Sequence, residues 1–180
     1  MANIFLRALS MGDLELTSKW HSDEELYKSL VGPFRYVSQD AEKEWLESKV
    51  KYSNQEINLM ICLKENSQPI GMISVRDIDW ISRTGHFTGL LIGKSEFQGK
   101  GYGSEALQLL LQHVFQDLGL NRIWGFALES NLSSLRMLEK CGFMVEGKLK
   151  QHSYKNGHFI DVSVVGLCAN DYFAKQQNIK

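Results

Sequence analysis

Proline is nearly missing from this chain, with two residues in 180. No run rich in proline, glycine or serine marks a linker, and no segment repeats. The expectation is therefore a single domain over residues 1–170, followed by a polar tail at 171–180. Cysteine is scarce and odd in number: Cys62, Cys141 and Cys168 lie far apart. Without a Cys-x-x-Cys pair, the sequence indicates neither a disulfide framework nor a zinc site. His21, His86, His113, His152 and His158 show no ligand spacing either, so no metal is expected. An excess of one charge is also lacking. Twenty Lys and Arg face 21 Asp and Glu, for a net charge of −1. That balance favours neither nucleic acid nor an anionic membrane as partner. The longest uncharged apolar run, around Leu90-Leu91-Ile92, is too short to span a bilayer. The opening Met1-Ala2-Asn3-Ile4-Phe5 lacks the charged start and long apolar core of a signal peptide. These features point to a cytoplasmic protein in a reducing compartment.

Glycine, by contrast, is present where it matters. The stretch Phe97-Gln98-Gly99-Lys100-Gly101-Tyr102-Gly103-Ser104 alternates three glycines and leads into an apolar helical pattern at Glu105-Ala106-Leu107. Glycine has no Cβ, so backbone amides there can turn toward a bound group. A helix start adds unpaired N–H donors and the positive end of the helix dipole. Together they suit an anion, most naturally phosphate. The same residues would also serve a plain strand-to-helix turn. A second reading stays open as well. Gly101-x-Gly103-x-x-Ala106, with Glu129 ending the next strand, resembles the G-x-G-x-x-[G/A] dinucleotide fingerprint. Against it, the match lies mid-chain, and the rest of the chain reads as a helix and a hairpin.

The remaining elements come from periodicity. Residues 3–9 read as a strand, and Asp13 as the cap of a short helix reaching Trp20. A second helix runs from Asp23 to about Leu30, and a third from Ser38 to about Tyr52, burying Trp45, Leu46 and Val50. Strands lie at 57–63, 70–79 and 86–93, joined by short turns as a meander. The helix after the glycine loop is amphipathic from Ser104 to Leu118 and stops at Gly119. A strand covers 122–129. Asn131 caps a helix that Gly142 ends. Asn156-Gly157 turns a closing hairpin of residues 143–154 and 159–167. Helices between strands, with meanders at both ends, predict a mixed three-layer α/β domain.

Three segments in order resemble the GNAT superfamily of N-acetyltransferases. Gln98-Gly99-Lys100-Gly101-Tyr102-Gly103 is similar to its [Q/R]-x-x-G-x-[G/A] acetyl-coenzyme A loop. Asn131 through Gly142-Phe143 is similar to its N-x-x-[A/S]…E-K-x-G-F segment. Glu146-Gly147-Lys148-Leu149 and Gly157-His158-Phe159-Ile160-Asp161-Val162 resemble the closing hairpin of the RimJ/RimL-like subgroup. That subgroup acetylates ribosomal-protein N-termini and also contains enzymes for small amines. The resemblance implies a mostly antiparallel sheet of about seven strands, splayed between strands four and five, with about four helices. It implies acetyl-CoA as cosubstrate, held by loop amides from Gln98 to Ser104. Strand-four amides of Leu91, Ile92 and Gly93 would take the pantetheine arm as a further strand. The Asn131 side chain would reach the same arm, unless it is only a helix cap.

The implied reaction is direct attack of an amine on the thioester in a ternary complex. The acceptor would be a protein N-terminus or a small-molecule amine, and a homodimer is compatible with the sequence. Many members carry a tyrosine as the thiolate's acid where this chain has Leu138. The resemblance to the ribosomal-protein subgroup nominates Ser134 instead, a position that equally suits an ordinary polar residue in a first helical turn. His86 is the candidate base, with Asp77, Asp79 and Glu129 as alternatives. A domain that binds acetyl-CoA as a sensor, its chemistry lost along with the tyrosine, is a third reading. Asp23, Glu24, Glu25 and Arg35 either select the acceptor or face water.

Overall fold

The computed structural model describes residues 3–177. In chain order the elements are β1 (Ile4–Ala8), α1 (Leu14–His21), α2 (Glu24–Tyr27), α3 (Gln39–Val50), β2 (Ile57–Leu63), β3 (Pro69–Asp79) and β4 (Thr84–Ile92). They continue as α4 (Tyr102–Gln112), β5 (Arg122–Leu128), α5 (Leu132–Cys141), β6 (Met144–Lys155), β7 (His158–Cys168) and α6 (Ala169–Gln177). One seven-stranded sheet runs β1-β2-β3-β4-β5-β7-β6. Its pairs are antiparallel except for β4 and β5, which are parallel.

Strand alternation builds the layers. Along β2, Met60 and Cys62 join Trp20 of α1 and Leu46 of α3 in one core. Ile61 and Leu63 face the other way, into a larger core with Ala106, Leu107, Leu110 and Leu111 of α4. The sheet is thus covered on both faces, as the mixed three-layer reading requires. The hairpin turn also matches: Asn156 and Gly157 both take positive φ, 50° and 83°, as a two-residue turn demands.

Several details depart from the sequence reading. Among the described residues there are six α-helices rather than about four. The expected second helix is shorter than the reading to about Leu30: α2 is a single turn, capped by the Asp23 carboxylate, which accepts from the N–H groups of Glu25 and Leu26. The helix the reading lacked is α6, which takes up the described part of the expected polar tail. Its Tyr172 is buried against Phe115, with ring centroids 5.0 Å apart. One aromatic anchor in a polar nonapeptide holds that helix down but leaves no periodicity to read. Asp13 precedes α1 but does not cap it with its side chain. Its carboxylate accepts instead from the Arg7 guanidinium at 2.6 and 2.8 Å and from the Ser10 N–H at 2.9 Å. A carboxylate this deeply buried is drawn to the cation. The helix after the glycine loop reaches the expected stop but loosens over its last residues, 113–117, into a π turn, with Leu118 N–H donating back to the His113 carbonyl at 3.1 Å.

Gly93, directly after β4, packs against Trp20 of α1. A Cβ there would run into the Trp20 indole ring. Gly93→Ala is expected to cost about 1–3 kcal/mol of stability by overpacking, read as a lower urea midpoint with unchanged slope.

Candidate active site

The site begins where β4 leaves β5. The two strands pair only over residues 84–87 of β4 and 122–125 of β5. Just beyond, Val75 pairs with Phe87 and Ser74 with Gly89, so Thr88 has no partner on β3. This is a β-bulge. Gly89 takes a φ of 149°, and the Thr88 and Ser74 hydroxyls hydrogen-bond at 2.8 Å. After the bulge β4 runs along β3, while β5 runs along β7 to Leu128.

The gap between the strands exposes backbone. Gly93 donates its N–H to the Ile70 carbonyl at 2.8 Å. N–H groups alternate sides along a strand, so Leu91 also points at β3, while Leu90 and Ile92 point into the gap. Gln98 confirms that direction: its side-chain amide reaches the Ile92 carbonyl at 3.1 Å. The Ile92 N–H on the same side meets no β5 partner. A backbone donor left without a strand partner is one that a bound molecule can use.

The gap opens into a cavity of about 870 Å³. The glycine loop forms one end, with Gln98, Gly99, Gly101, Gly103 and Ser104 on its wall. Gly99 and Gly101 have φ of 71° and 86°, and nothing lies within 4 Å of where a Cβ would stand. Leu91 and Ile92 line the middle, with Asn131 and Ser134 opposite and His86 further along. Three nominated residues are not on the wall. Gly93 commits its amide to β3 and its open side to Trp20. Lys100 is exposed, and the Tyr102 ring packs toward Phe97 at 6.5 Å.

Asn131 is fully engaged in this structure. Its Oδ1 accepts from the Ser134 N–H at 3.0 Å and caps α5, and its Nδ2 donates to the Ser29 carbonyl at 2.9 Å. The cap therefore holds Ser134 at the cavity wall. His86 stacks on Trp124 with centroids 4.2 Å apart and meets Phe126 edge-on at 5.5 Å. Burial pushes its pKa below the ordinary 6.5; Asp77, 3.5 Å from Nδ1, pulls the other way, and Arg76 adds to the lowering. The other nominated bases are occupied away from the cavity. Asp79 accepts from the N–H groups of Ile81 and Ser82 at 2.8 and 3.1 Å. Glu129 meets Lys148 at 2.5 Å and Ser163 at 2.9 Å.

Sequence reasoning missed two parts of the site and did not locate a third. The resemblance implied a splay between strands four and five, but the position of its bulge was signalled only by a lone glycine inside a strand pattern, Gly89. Arg136 and Lys140, four apart on α5, face the cavity near the glycine loop, though such a pair reads as a solvated helix face. The far wall is the segment 27–32, whose carbonyls are held from a distance. Lys155 donates to those of Tyr27, at 2.9 Å, and Gly32, and Ser153 to that of Val31 at 3.0 Å. Burial lowers the Lys155 pKa.

A sheet parted between two parallel strands, above a glycine-lined helix start, is the scaffold of an acetyltransferase. A family model described as an acetyltransferase (GNAT) domain matches residues 3–144, and the chain belongs to that family. It is an acetyl-CoA-dependent N-acetyltransferase. The chain is 29% identical to an uncharacterized N-acetyltransferase, p20, of Bacillus licheniformis, over 93% of each chain. It is 28% identical to a spermidine N(1)-acetyltransferase of Vibrio cholerae, covering 98% of this chain and 99% of the relative. Among solved structures, a Vibrio cholerae spermidine N-acetyltransferase in complex with CoA and spermine superposes with a TM-score of 0.87. That pair is 25% identical, over 96% of this chain and 99% of the other. The seven-stranded splayed sheet is the one the resemblance implied.

The residues present fit the cosubstrate. Open glycines and the first-turn amides of α4 suit its pyrophosphate, Arg136 and Lys140 add positive charge, and the Leu90 and Ile92 amides suit an extended arm. Gly101→Val would force a β-branched residue to a φ of 86°. Its CoA affinity is expected to fall at least about tenfold by calorimetric titration, which corresponds to about 1.4 kcal/mol.

Proposed function

We propose that the protein acetylates the primary amine of a small molecule, with donor and acceptor bound together across the β4–β5 gap. The observation that carries this reading is the unpaired β4 backbone beside the glycine loop, opening toward His86. Acetyl-CoA supplies an activated thioester. Ile92 N–H points into the gap and is placed to donate to the charge that develops on a carbonyl oxygen there. His86, its pKa held below 6.5 chiefly by burial, is a neutral acceptor at pH 7 and takes the amine proton directly or through water. The Ser134 hydroxyl, at the cavity wall on the first turn of α5, gives a proton to the leaving thiolate. Leu138 is buried in the core and supplies none. Much of the rate comes from holding the partners in line.

Small amines are favoured as acceptors by the relatives that act on spermidine. The RimJ/RimL-like resemblance of the closing hairpin supports a protein N-terminus as a second acceptor class. We place the protein in the cytoplasm as a single catalytic domain; three free thiols suit a reducing compartment.

Incubation with acetyl-CoA and a panel of amines, following free thiol, tests the reading. Amine-dependent release is expected. Tight binding without turnover on any amine would make the protein a sensor instead. Ser134→Ala is expected to lower kcat by roughly 10²-fold or more, with little change in CoA affinity by titration; wild-type turnover would remove its acid role. The working form of His86 is neutral, so kcat/KM expressed per neutral amine should hold near pH 7 and fall only as pH drops through a value below 6.5. His86→Gln should abolish that acidic limb, and a limb that persists would exclude His86 as base.

A further inference from the structure

The acceptor end of the cavity is short of negative charge. Among the described residues, no aspartate or glutamate lines the cavity, whereas Arg76, His21 and His86 do at this end. Two carboxylates near this end already face basic groups: Glu42 holds His21 at 2.8 Å and Glu56 holds Lys49 at 2.8 Å. Asp77, 3.5 Å from His86, is largely exposed and lies off the cavity wall. A polyamine entering here would meet no carboxylate among the described residues of that wall.

Arg76 is the unusual member of that set. Its Nε is buried and makes no hydrogen bond. The closest carboxylate oxygen, on Glu56, stops 3.8 Å away and is already engaged by Lys49. A buried donor left unmade is costly and calls for a partner. Arg76 sits on β3 directly across from His86 on β4, so the two side chains share one face of the sheet. A small molecule can therefore place an anion on Arg76 while its amine stands at His86, a few bonds away.

We infer that the acceptor is a primary amine that also carries an anionic group, carboxylate or phosphate, and that Arg76 binds that group. This rests on the acetyl-transfer reading above. A guanidinium fork matches both anions in two-point geometry. Leu26, Leu30 and Phe126 on the surrounding wall leave room for an apolar remainder. Arg76 lines the cavity and its side chain is 38% exposed, so the anion would meet its accessible donors, while the buried Nε stays turned toward Glu56.

The test pairs each anionic amine with its uncharged counterpart: leucine with leucinamide, aminoethyl phosphate with ethanolamine, and spermidine alongside. Rates are expressed per neutral amine. At least one anionic member is expected to exceed its counterpart in kcat/KM by about tenfold or more, mainly through KM, and to exceed spermidine. The two pairs separate carboxylate from phosphate. Arg76→Gln should bring the ratio within the pair close to one, and Arg76→Lys should restore part of it; melting curves of both variants check folding. Preference for spermidine, or a ratio unchanged in Arg76→Gln, overturns the inference and leaves the transfer reading standing. Absence of turnover with every amine, CoA binding intact, overturns both.

Discussion

The separation of β4 from β5 is the constraint on which the rest of the molecule depends. Had the parallel pair run its full length, every β4 amide would be taken up within the sheet. The unpaired Thr88 and the left-handed Gly89 stop it after Phe87. The strands then diverge along separate partners, and two rows of backbone face each other across open space. Exposed, unpaired backbone is normally avoided at a sheet edge. Here it is kept inside the molecule, where a bound chain of atoms can take the place of a strand.

The gap has two chemically distinct ends. At one, α4 presents its first-turn amides, and Arg136 and Lys140 lean in from α5. Oriented dipoles and cations reinforce each other there. At the other, an imidazole stacks on one aromatic ring and meets a second edge-on, beside an arginine whose inner nitrogen lacks a partner. Asn131 belongs to both ends. Its carbonyl oxygen fixes the helix that carries Ser134, and its amide grips the wall at Ser29. One short side chain thus ties the start of α5 to the far wall of the cavity.

What was legible in the chain was what depends on local chemistry. The Asn156-Gly157 turn, the Asn131 cap and the helix stops at Gly119 and Gly142 reflect backbone preferences of single residues. The glycine loop was legible for the same reason. What depends on pairing was not. Whether Ile92 or Gly93 turns its N–H to the gap is a matter of parity, set by the partner strand and not by either residue. Arg76 looked like any charge on a strand until β3 was laid against β4 and placed it across from His86. Asp13 read as a cap because the partner that draws its buried carboxylate, Arg7, lies on β1. α6 is held by one tyrosine, too little for a periodic signal.

The wall at residues 27–32 has a further consequence, in the order of assembly. Its carbonyls are satisfied by Lys155 and Ser153, 122 to 128 residues later in the chain. A ribosome releases the segment long before it releases the side chains that pin it. The glycine loop and α4 can settle on the sheet while synthesis continues, because their neighbours in β1 to β4 are already made. The wall must wait for the last hairpin, and closing so long a loop is slow. The pocket is therefore finished only when nearly the whole chain exists.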